Sequence, residues 1–314
     1  MRGALILAIA ISTLGCLGVA AETGPSGGID LEATFTYDGF TWDTLGAVTL
    51  RMGFGGSAVV SRTEFSLSGF QEERLTFDLG ADAFLFQNVL VFDPCFSRYS
   101  LGFWGDFSSC DCGSCNLGFD WGSLLVYGNL AEPCQTPEYT LGFLIKASMS
   151  WQFDPCCGRL RAENYLAFGL KDIYNLIDAD PRTDITLTSG VSFEEDLLRF
   201  LYQASWISLE GFGVFDPTGF VWGRAGVEFL LAKAFLIGGR VWVVSPFTFS
   251  RADLVMGLEM EHLRVRSVTA FDAYGFYGEE FRLRVGVEAW SFWLKVNYNV
   301  LGLVEITTGL GVSW

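Results

Sequence analysis

The sequence predicts an all-β chain that closes into a single antiparallel barrel of about 16 strands, with about 14 as the alternative. Two observations support this fold class. Apolar and polar side chains alternate along most of the chain, and no segment keeps a helical period for more than a turn or two. At about 18 residues for a strand and its connection, a chain of this length supplies that number of strands.

The alternation has the period of two that a β-strand imposes. In the first clear segment, Ile29, Leu31 and Phe35 share one face, whereas Asp30 and Glu32 share the other, because neighbouring side chains of a strand point to opposite sides. The clear segments are 29–38, 48–54, 184–194, 198–206, 281–289 and 292–299. Residues 75–92 are interpreted either as one long strand or as a hairpin through 79–81, so the strand count is given as a range.

Connections of two lengths separate these segments. Short turns are predicted at 194–196, 261–262 and 290–291, and longer connections at 169–182, 211–219, 244–251 and 271–280. Tight turns at one end and longer loops at the other are typical of barrels that span a membrane. A sandwich with Greek-key crossovers does not alternate so regularly.

A Phe-Asp-Pro tripeptide recurs at near-equal spacing. It begins at Phe92, Phe153 and Phe215, and a degraded copy follows at Phe271. Asp-Pro favours a turn because proline fixes φ and has no amide proton to donate to a ladder. Duplication of a four-stranded unit and a preferred turn both explain the repeat, and the sequence leaves both open.

A cleavable signal peptide is predicted at residues 1–21. Arg2 precedes an apolar run, 4–11, that is too short to cross a bilayer, and small residues lead up to a cleavage site after Ala21. The mature chain, 22–314, contains no linker that would divide it. It is therefore predicted to be one barrel domain.

Cys16 raises a lipoprotein as the alternative for this amino terminus. Leu14, Gly15 and Cys16 form part of a lipobox. Thr13 stands where such a motif has a large aliphatic residue, so cleavage after Ala21 is the prediction.

The composition fits a protein with an apolar outer surface. Hydrophobic residues make up 50% of the chain, with 29 Phe, 10 Trp, 10 Tyr and 37 Gly. No run of twenty apolar residues follows the signal peptide, which excludes helical spans. A soluble domain rarely needs so many aromatic residues, whereas a membrane barrel carries aromatic girdles. The net charge of −16 argues against nucleic acid as a partner.

The last eleven residues, 304–314, are the most informative segment. Val304, Ile306 and Leu310 share a face with the terminal Trp314, and Glu305 lies on the other face. This strand resembles the closing strand of bacterial outer-membrane β-barrels, which ends in an aromatic residue. An amphipathic strand of a secreted β-sandwich is the alternative.

The whole mature chain resembles a porin-type outer-membrane barrel. The resemblance implies a place in the cell outer membrane of a diderm bacterium, contact with outer-membrane lipid, and insertion by the barrel-assembly machinery through the carboxy-terminal strand. Similar porins often form homo-oligomers, and this state stays open. The resemblance concerns architecture, and solute specificity does not follow from it.

If the apolar face contacts lipid, the charged strand residues face a lumen, because charges on the lipid face cost roughly 2–4 kcal/mol near the midplane. The predicted lumen-lining residues are Arg51, Arg62, Glu64, Lys146, Arg199, Arg224, Glu228, Arg240, Glu259, Arg264, Arg266, Arg282, Arg284, Glu288, Lys295 and Glu305. Both signs are present, which indicates a hydrated interior with ion pairs.

These residues predict a channel for ions and small hydrophilic solutes that pass by passive diffusion. A barrel of 14–16 strands is too wide for side chains to fill. Acidic loops at the mouth are expected to favour cations. The alternative is a non-conducting structural or surface-binding protein, either a plugged barrel or a secreted β protein.

Seven cysteines remain after the predicted cleavage, all in predicted turns. Cys95 and Cys134 are predicted at one end of the barrel and are expected to form a disulfide. The others are predicted at the opposite end, with one or two bridges among them: Cys110, Cys112, Cys115, Cys156 and Cys157. A zinc or iron–sulfur site in that group is the alternative.

Catalysis finds little support, and no enzyme activity, cofactor or metal is predicted. His262 is the only histidine, and no Gly-x-Ser-x-Gly nucleophile motif accompanies it. The acidic residues around Asp172 and Asp184 match no established calcium loop, so they are interpreted as a solvated loop.

Overall fold

The computed structural model describes residues 26–37, 42–81, 84–92, 98–109, 115–130, 138–153, 158–176 and 185–313. Eighteen strands form one antiparallel sheet. They are β1 (Ser26–Tyr37), β2 (Trp42–Phe54), β3 (Ser57–Ser66), β4 (Gly69–Ala81), β5 (Phe84–Phe92), β6 (Arg98–Ser109), β7 (Cys115–Asn129), β8 (Tyr139–Phe153), β9 (Arg159–Phe168), β12 (Phe193–Gln203), β13 (Ile207–Asp216), β14 (Gly219–Leu231), β15 (Phe235–Val244), β16 (Thr248–Glu259), β17 (Leu263–Asp272), β18 (Gly275–Val287), β19 (Trp290–Asn299) and β20 (Gly302–Ser313).

Two short strands, β10 (Leu170–Lys171) and β11 (Thr186–Leu187), pair with each other in the connection between β9 and β12. One turn of 3-10 helix, Ile173–Leu176, lies between them. Among the residues that the structure describes, no helix has the length and hydropathy needed to cross a bilayer. The predicted signal peptide and Trp314 lie outside the described residues.

The sheet closes through its first and last strands. β1 pairs with β2 on one side and with β20 on the other, so that Ile29 lies opposite both Leu50 and Val312. The other barrel strands pair with their neighbours in sequence, and β9 pairs with β12. The prediction of a single closed antiparallel barrel is therefore confirmed.

The predicted count of about 16 strands is wrong, because the connections are shorter than the estimate of about 18 residues per strand and connection assumes. Two residues join β2 to β3 and two join β3 to β4. Segment 75–92 is a hairpin, with β4 ending at Ala81 and β5 beginning at Phe84. Shorter connections leave room for eighteen strands.

The predicted alternation of short and long connections is also wrong. Residues 211–216, predicted as part of a long connection, belong to β13, and residues 275–280 belong to β18. The turn predicted at 194–196 lies inside β12. The connection predicted at 169–182 is long, and it reaches residue 192. Glycines such as Gly211 and Gly213 indicate a loop in the sequence, whereas β13 continues through them and ends at the Asp216-Pro217 turn.

One turn design recurs at the end of the barrel opposite to the start of β1, here called the far end. In this turn, a backbone N–H donates to the polar side chain of the residue two positions before it. The N–H of Thr218 donates to Asp216 Oδ1 and the N–H of Tyr274 donates to Asp272 Oδ1, both at 2.7 Å. A glycine at positive φ ends each turn. These glycines are Gly69, Gly219, Gly275 and Gly302.

This turn accounts for two of the recurring Phe-Asp pairs. The rings of Phe215 and Phe220 lie 5.7 Å apart across one turn, and those of Phe271 and Phe276 lie 6.4 Å apart across another. Phe153 ends β8, three barrel strands after the strand that Phe92 ends. A four-stranded duplication does not fit that spacing, so the preferred turn is the better explanation.

We predict that Gly275→Val destabilises the barrel by about 1–3 kcal/mol, because Gly275 has a φ of +123° that a branched side chain adopts only with strain. The matched control is Gly211→Ala, at an ordinary strand position with space for a methyl group. Urea unfolding in detergent micelles, followed by tryptophan fluorescence, measures both. Equal midpoints for the two variants would contradict the role of this turn.

Candidate functional site

The two faces of the sheet differ in chemistry. On β7, Phe119, Trp121 and Tyr127 are exposed, whereas Leu124 and Val126, on the alternate face, are buried. Large apolar side chains are exposed in the same alternating way on β1, β8, β15 and β19. This face of the closed sheet is therefore mainly apolar, and its few polar groups are paired with one another: Ser61 and Thr63 donate to Glu73, Ser267 to Glu279, and Asn164 to Asp196.

Ion pairs identify the other face as the concave interior. Arg266 on β17 reaches Glu228 on β14 at 2.6 Å, across β15 and β16. Arg62 on β3 reaches Glu32 on β1 at 3.1 Å, across β2. Side chains of strands that are not neighbours converge only where the sheet curves toward them. The charged side chains therefore point into the barrel.

A ladder of shared carboxylates runs along this interior. Glu163 contacts Lys146 at 3.7 Å, Arg161 at 3.0 Å and Arg199 at 3.1 Å. Glu210 contacts Arg199 and Arg224, both at 2.7 Å. Charge-assisted bonds of this kind are strong when the groups are shielded from water. The ladder connects β8, β9, β12, β13 and β14 on the inward face.

The structure places the sequence-predicted charged residues in three settings. The ion-paired residues are Arg51, Arg62, Glu64, Lys146, Arg199, Arg224, Glu228, Arg240, Arg266, Arg282, Lys295 and Glu305. Glu259, Arg264 and Arg284 share the inward face by register, but the described residues provide no ion pair to them within 4.0 Å. Glu288 lies in the turn between β18 and β19.

The connection between β9 and β12 packs against the interior wall. Leu170 and Ile173 are 0% and 1% exposed, in one cluster with Leu144, Leu197 and Val214 of three strands. Leu170 lies so close to Gly142 that a Cβ at that glycine would overlap the leucine side chain. Burial of leucine and isoleucine side chains contributes about 1.5–3 kcal/mol each. The described parts of this connection, 169–176 and 185–192, are therefore held inside the barrel.

Hydrogen bonds fix the two ends of this connection. The N–H of Gly169 donates to the Ser192 carbonyl at 2.8 Å, and the N–H of Thr188 donates to the Gly169 carbonyl at 3.0 Å. The Glu195 carboxylate accepts from the N–H of Ile173 at 3.1 Å. Thr140 Oγ1 on β8 donates to the Thr188 carbonyl at 3.1 Å. The start and end of the connection are thus tied to the wall.

Tyr174 links the connection to an aromatic group on β13, β14 and β15. Its ring stacks on Phe212 at 4.7 Å and meets the edge of Trp222 at 5.0 Å. Its hydroxyl accepts from Arg224 at 2.8 Å, and the guanidinium lies over Phe212 and over Trp242 at 4.8 and 5.0 Å. The Arg224 side chain is 5% exposed. Cation–π contact and the Glu210 ion pair offset its burial.

Sequence reasoning missed this interior packing. The alternation of connection lengths predicts residues 169–182 as a long external loop, and its aspartates are interpreted as solvated. The available signal was its apolar residues, Leu170, Ile173, Ile185 and Leu187, and the small inward residue Gly142 opposite them. Apolar residues within a long loop are typical of a loop that packs on its own protein.

The predicted disulfide candidates Cys95, Cys110, Cys112, Cys134, Cys156 and Cys157 lie outside the described residues, and so does the side chain of Cys115. Their pairing stays a prediction. Within the described ranges, no three side chains of the metal-binding types come together. His262 lies in the turn after β16, mostly exposed, 3.9 Å from Glu261.

Comparison with known proteins identifies no family. No protein-family model and no curated protein matches the chain. The solved structures that match include three engineered variants of Rhodopseudomonas blastica porin, at 7%, 9% and 10% identity and TM-scores of 0.43, 0.45 and 0.43. Each match covers 93% of this chain and 99% of the other. The architecture of this chain, a closed antiparallel β-barrel, is established by its own strand pairing.

We predict that Glu210→Gln lowers the free energy of unfolding by about 3 kcal/mol, because it removes a carboxylate shared by two shielded arginines. Glu261→Gln is the control, since that side chain is 88% exposed and its loss should change stability by less than about 0.5 kcal/mol. Urea unfolding in micelles measures both. A midpoint for Glu210→Gln equal to that of the control would contradict a stabilising ladder.

Proposed function

We propose that this chain is an outer-membrane channel that passes ions and small hydrophilic solutes by passive diffusion. The solutes move through the interior of the barrel beside the connection that joins β9 to β12. The observation that carries this proposal is the difference between the two faces of one closed sheet: networks of ion pairs line the inward face, and mainly apolar, exposed side chains cover the outward face.

The outer surface supports a place in a membrane. Exposed aromatic side chains lie near both ends of the strands: Phe65, Phe70, Phe271 and Phe276 at the far end, and Phe84, Phe235 and Trp290 at the other. Aromatic residues of this kind favour the two interfaces of a bilayer. The barrel strands are 9 to 15 residues long, and tilted strands of about 9–11 residues cross the hydrocarbon core.

The interior is wide enough for an aqueous passage. Eighteen strands about 4.8 Å apart and tilted by about 40° give a barrel roughly 35 Å across between opposite backbones. Side chains from the wall cannot fill that width. The connection held by Leu170 and Tyr174 occupies the side lined by β7, β8, β9 and β12 to β15, so we infer that it narrows the passage on that side.

A preference for cations is not part of this proposal. Most acids on the inward faces of the described strands are held in ion pairs, as Glu163 and Glu210 are. Paired acids contribute little to a long-range field. The acidic loop residues Asp178, Asp180 and Asp184 lie outside the described part of the chain.

The proposed location implies particular partners. The outer apolar face would contact outer-membrane lipid, and the barrel-assembly machinery would act on β20, which pairs with β1 to close the sheet. This proposal leaves the oligomeric state, monomer or homo-oligomer, undetermined. The signal peptide at 1–21, cleaved on export, belongs to the same proposal.

The rival function is a non-conducting barrel, and the packing of the connection favours it, because Leu170 and Ile173 fill part of the interior. We expect the channel instead: the protein should insert into planar lipid bilayers and give discrete current steps, and it should migrate differently in detergent gels before and after heating. A protein that shifts on heating but gives no steps would support the rival. A protein that neither shifts nor partitions into membranes would exclude both.

We predict that Gly142→Leu increases the conductance. The new side chain takes the space of Leu170, which should displace the start of the connection from the wall. Gly211→Leu is the control, since the space at Gly211 is open and the residue lies on the outer face. Current steps in planar bilayers measure the effect. An unchanged step size in a correctly folded Gly142→Leu barrel would show that the connection does not limit the passage.

A further inference from the structure

We propose that Arg264 on β17 and Arg284 on β18 form a binding site for a small oxyanion, such as phosphate, on the interior wall. The site lies toward the end of the barrel at which β1 begins, here called the near end. This inference rests on the proposed function, which supplies the route through the barrel. It adds the class of solute that would bind along that route.

The first observation is the register of the two strands. Arg264 lies directly opposite Arg284, and Arg266 lies directly opposite Arg282. Residues opposite each other in an antiparallel pair have Cβ atoms about 4.5–5.5 Å apart, and like charges in that position are destabilising. Four arginines thus form a two-by-two array on the inward face.

The second observation is how differently the two pairs are neutralised. Arg266 contacts Glu228 at 2.6 Å, and Arg282 contacts Glu280 at 2.6 Å. No carboxylate of the described residues lies within 4.0 Å of the guanidinium of Arg264 or Arg284. Arg266 and Arg282 therefore each have a carboxylate partner, whereas Arg264 and Arg284 retain their mutual repulsion.

The neighbouring strands leave this charge uncompensated. Glu259 on β16 lies opposite Arg264 in register, yet the two form no ion pair. Trp293 on β19 lies opposite Arg284. Glu288 follows in the turn after β18 and lines the same cavity as Arg284, without forming an ion pair with it. An anion between the two guanidinium groups would supply the charge that these neighbours do not.

The third observation is space beside the arginines. A cavity of about 610 Å³ opens at the near end, and Arg284 and Arg51 both line it. Gly286 leaves open space beside Arg284, whereas the side chains of Asp30 and Ser291 lie over Gly311. Glu288 and Ser313 also border the cavity. Arg51 is held by Asp30 at 2.9 Å. A hydrated phosphate ion fits such a volume and would meet Arg284 there, with Arg264 directly opposite on the next strand.

The chemistry of the arginine side chain selects the ligand class. A guanidinium is planar, permanently charged and presents paired N–H donors that match two oxygens of a carboxylate or phosphate. Two guanidinium groups side by side can each bind one edge of the same oxyanion. Chloride offers no such geometry, so oxyanions should bind more tightly than chloride.

The test uses the full-length barrel in planar bilayers in potassium chloride, with inorganic phosphate added to both sides. We expect phosphate to reduce the current of the unmodified protein at concentrations where added chloride does not. In the double variant Arg264→Gln/Arg284→Gln, the concentration for half reduction should rise at least about tenfold. Arg159→Gln is the control, because Arg159 is an inward arginine on β9 that donates to Ser150.

Equal sensitivity of the double variant and Arg159→Gln would overturn the site, as would a current that phosphate does not reduce in the unmodified barrel.

If neither the unmodified protein nor any variant conducts, the proposed channel fails, and phosphate binding is then measured as phosphate-dependent heat stability in detergent. A phosphate-dependent rise in the unmodified protein and in Arg159→Gln, absent from the double variant, would support the site without the channel. No rise in any of them would overturn the site as well. Succinate in place of phosphate tests whether carboxylates share the site.

Discussion

The pairing of β1 with β20 is the constraint on which the rest of this structure depends. Gly28 lies opposite Ser313 and Thr36 lies opposite Glu305, so the two ends of the chain complete the ladder. A sheet closed in this way has no free edge, and every strand has a hydrogen-bonded neighbour on both sides. Closure also gives the sheet one convex and one concave face, and this division organises all of the side chains.

The concave face brings together charges that are distant in sequence. Glu228 contacts Arg240 on the adjacent strand and also Arg266, which lies two strands further on. Such contacts need curvature, since on a flat sheet these side chains would stand too far apart. The same curvature gives the connection after β9 a wall on several sides, so Leu170 and Tyr174 pack against strands from β8 to β15. The ion pairs between distant strands and the packing of the connection after β9 both result from the curvature of the closed sheet.

The strands could be predicted because alternation is a local property. Ile29 and Asp30 point to opposite faces whatever the rest of the chain does, and the structure has them so. The strand count could not be predicted equally well, because Asp216 and Gly219 form a tight turn that resembles a loop in sequence. The turn predicted at 261–262 is confirmed, whereas the same signal, adjacent polar residues, was wrong at 194–196, which lies inside β12.

The interior shows where sequence information ends. Alternation along β17 places Arg264 and Arg266 on one face, and their chemistry alone indicates an aqueous or ion-paired setting. Arg266 has a carboxylate partner because Glu228 of β14 lies within reach of β17 once the sheet has curved and closed. Likewise, the apolar residues of the connection after β9 indicate packing, but the opening over Gly142 that receives Leu170 exists only between assembled strands. Period and polarity act between neighbours in the chain, whereas partners across the barrel are set by closure.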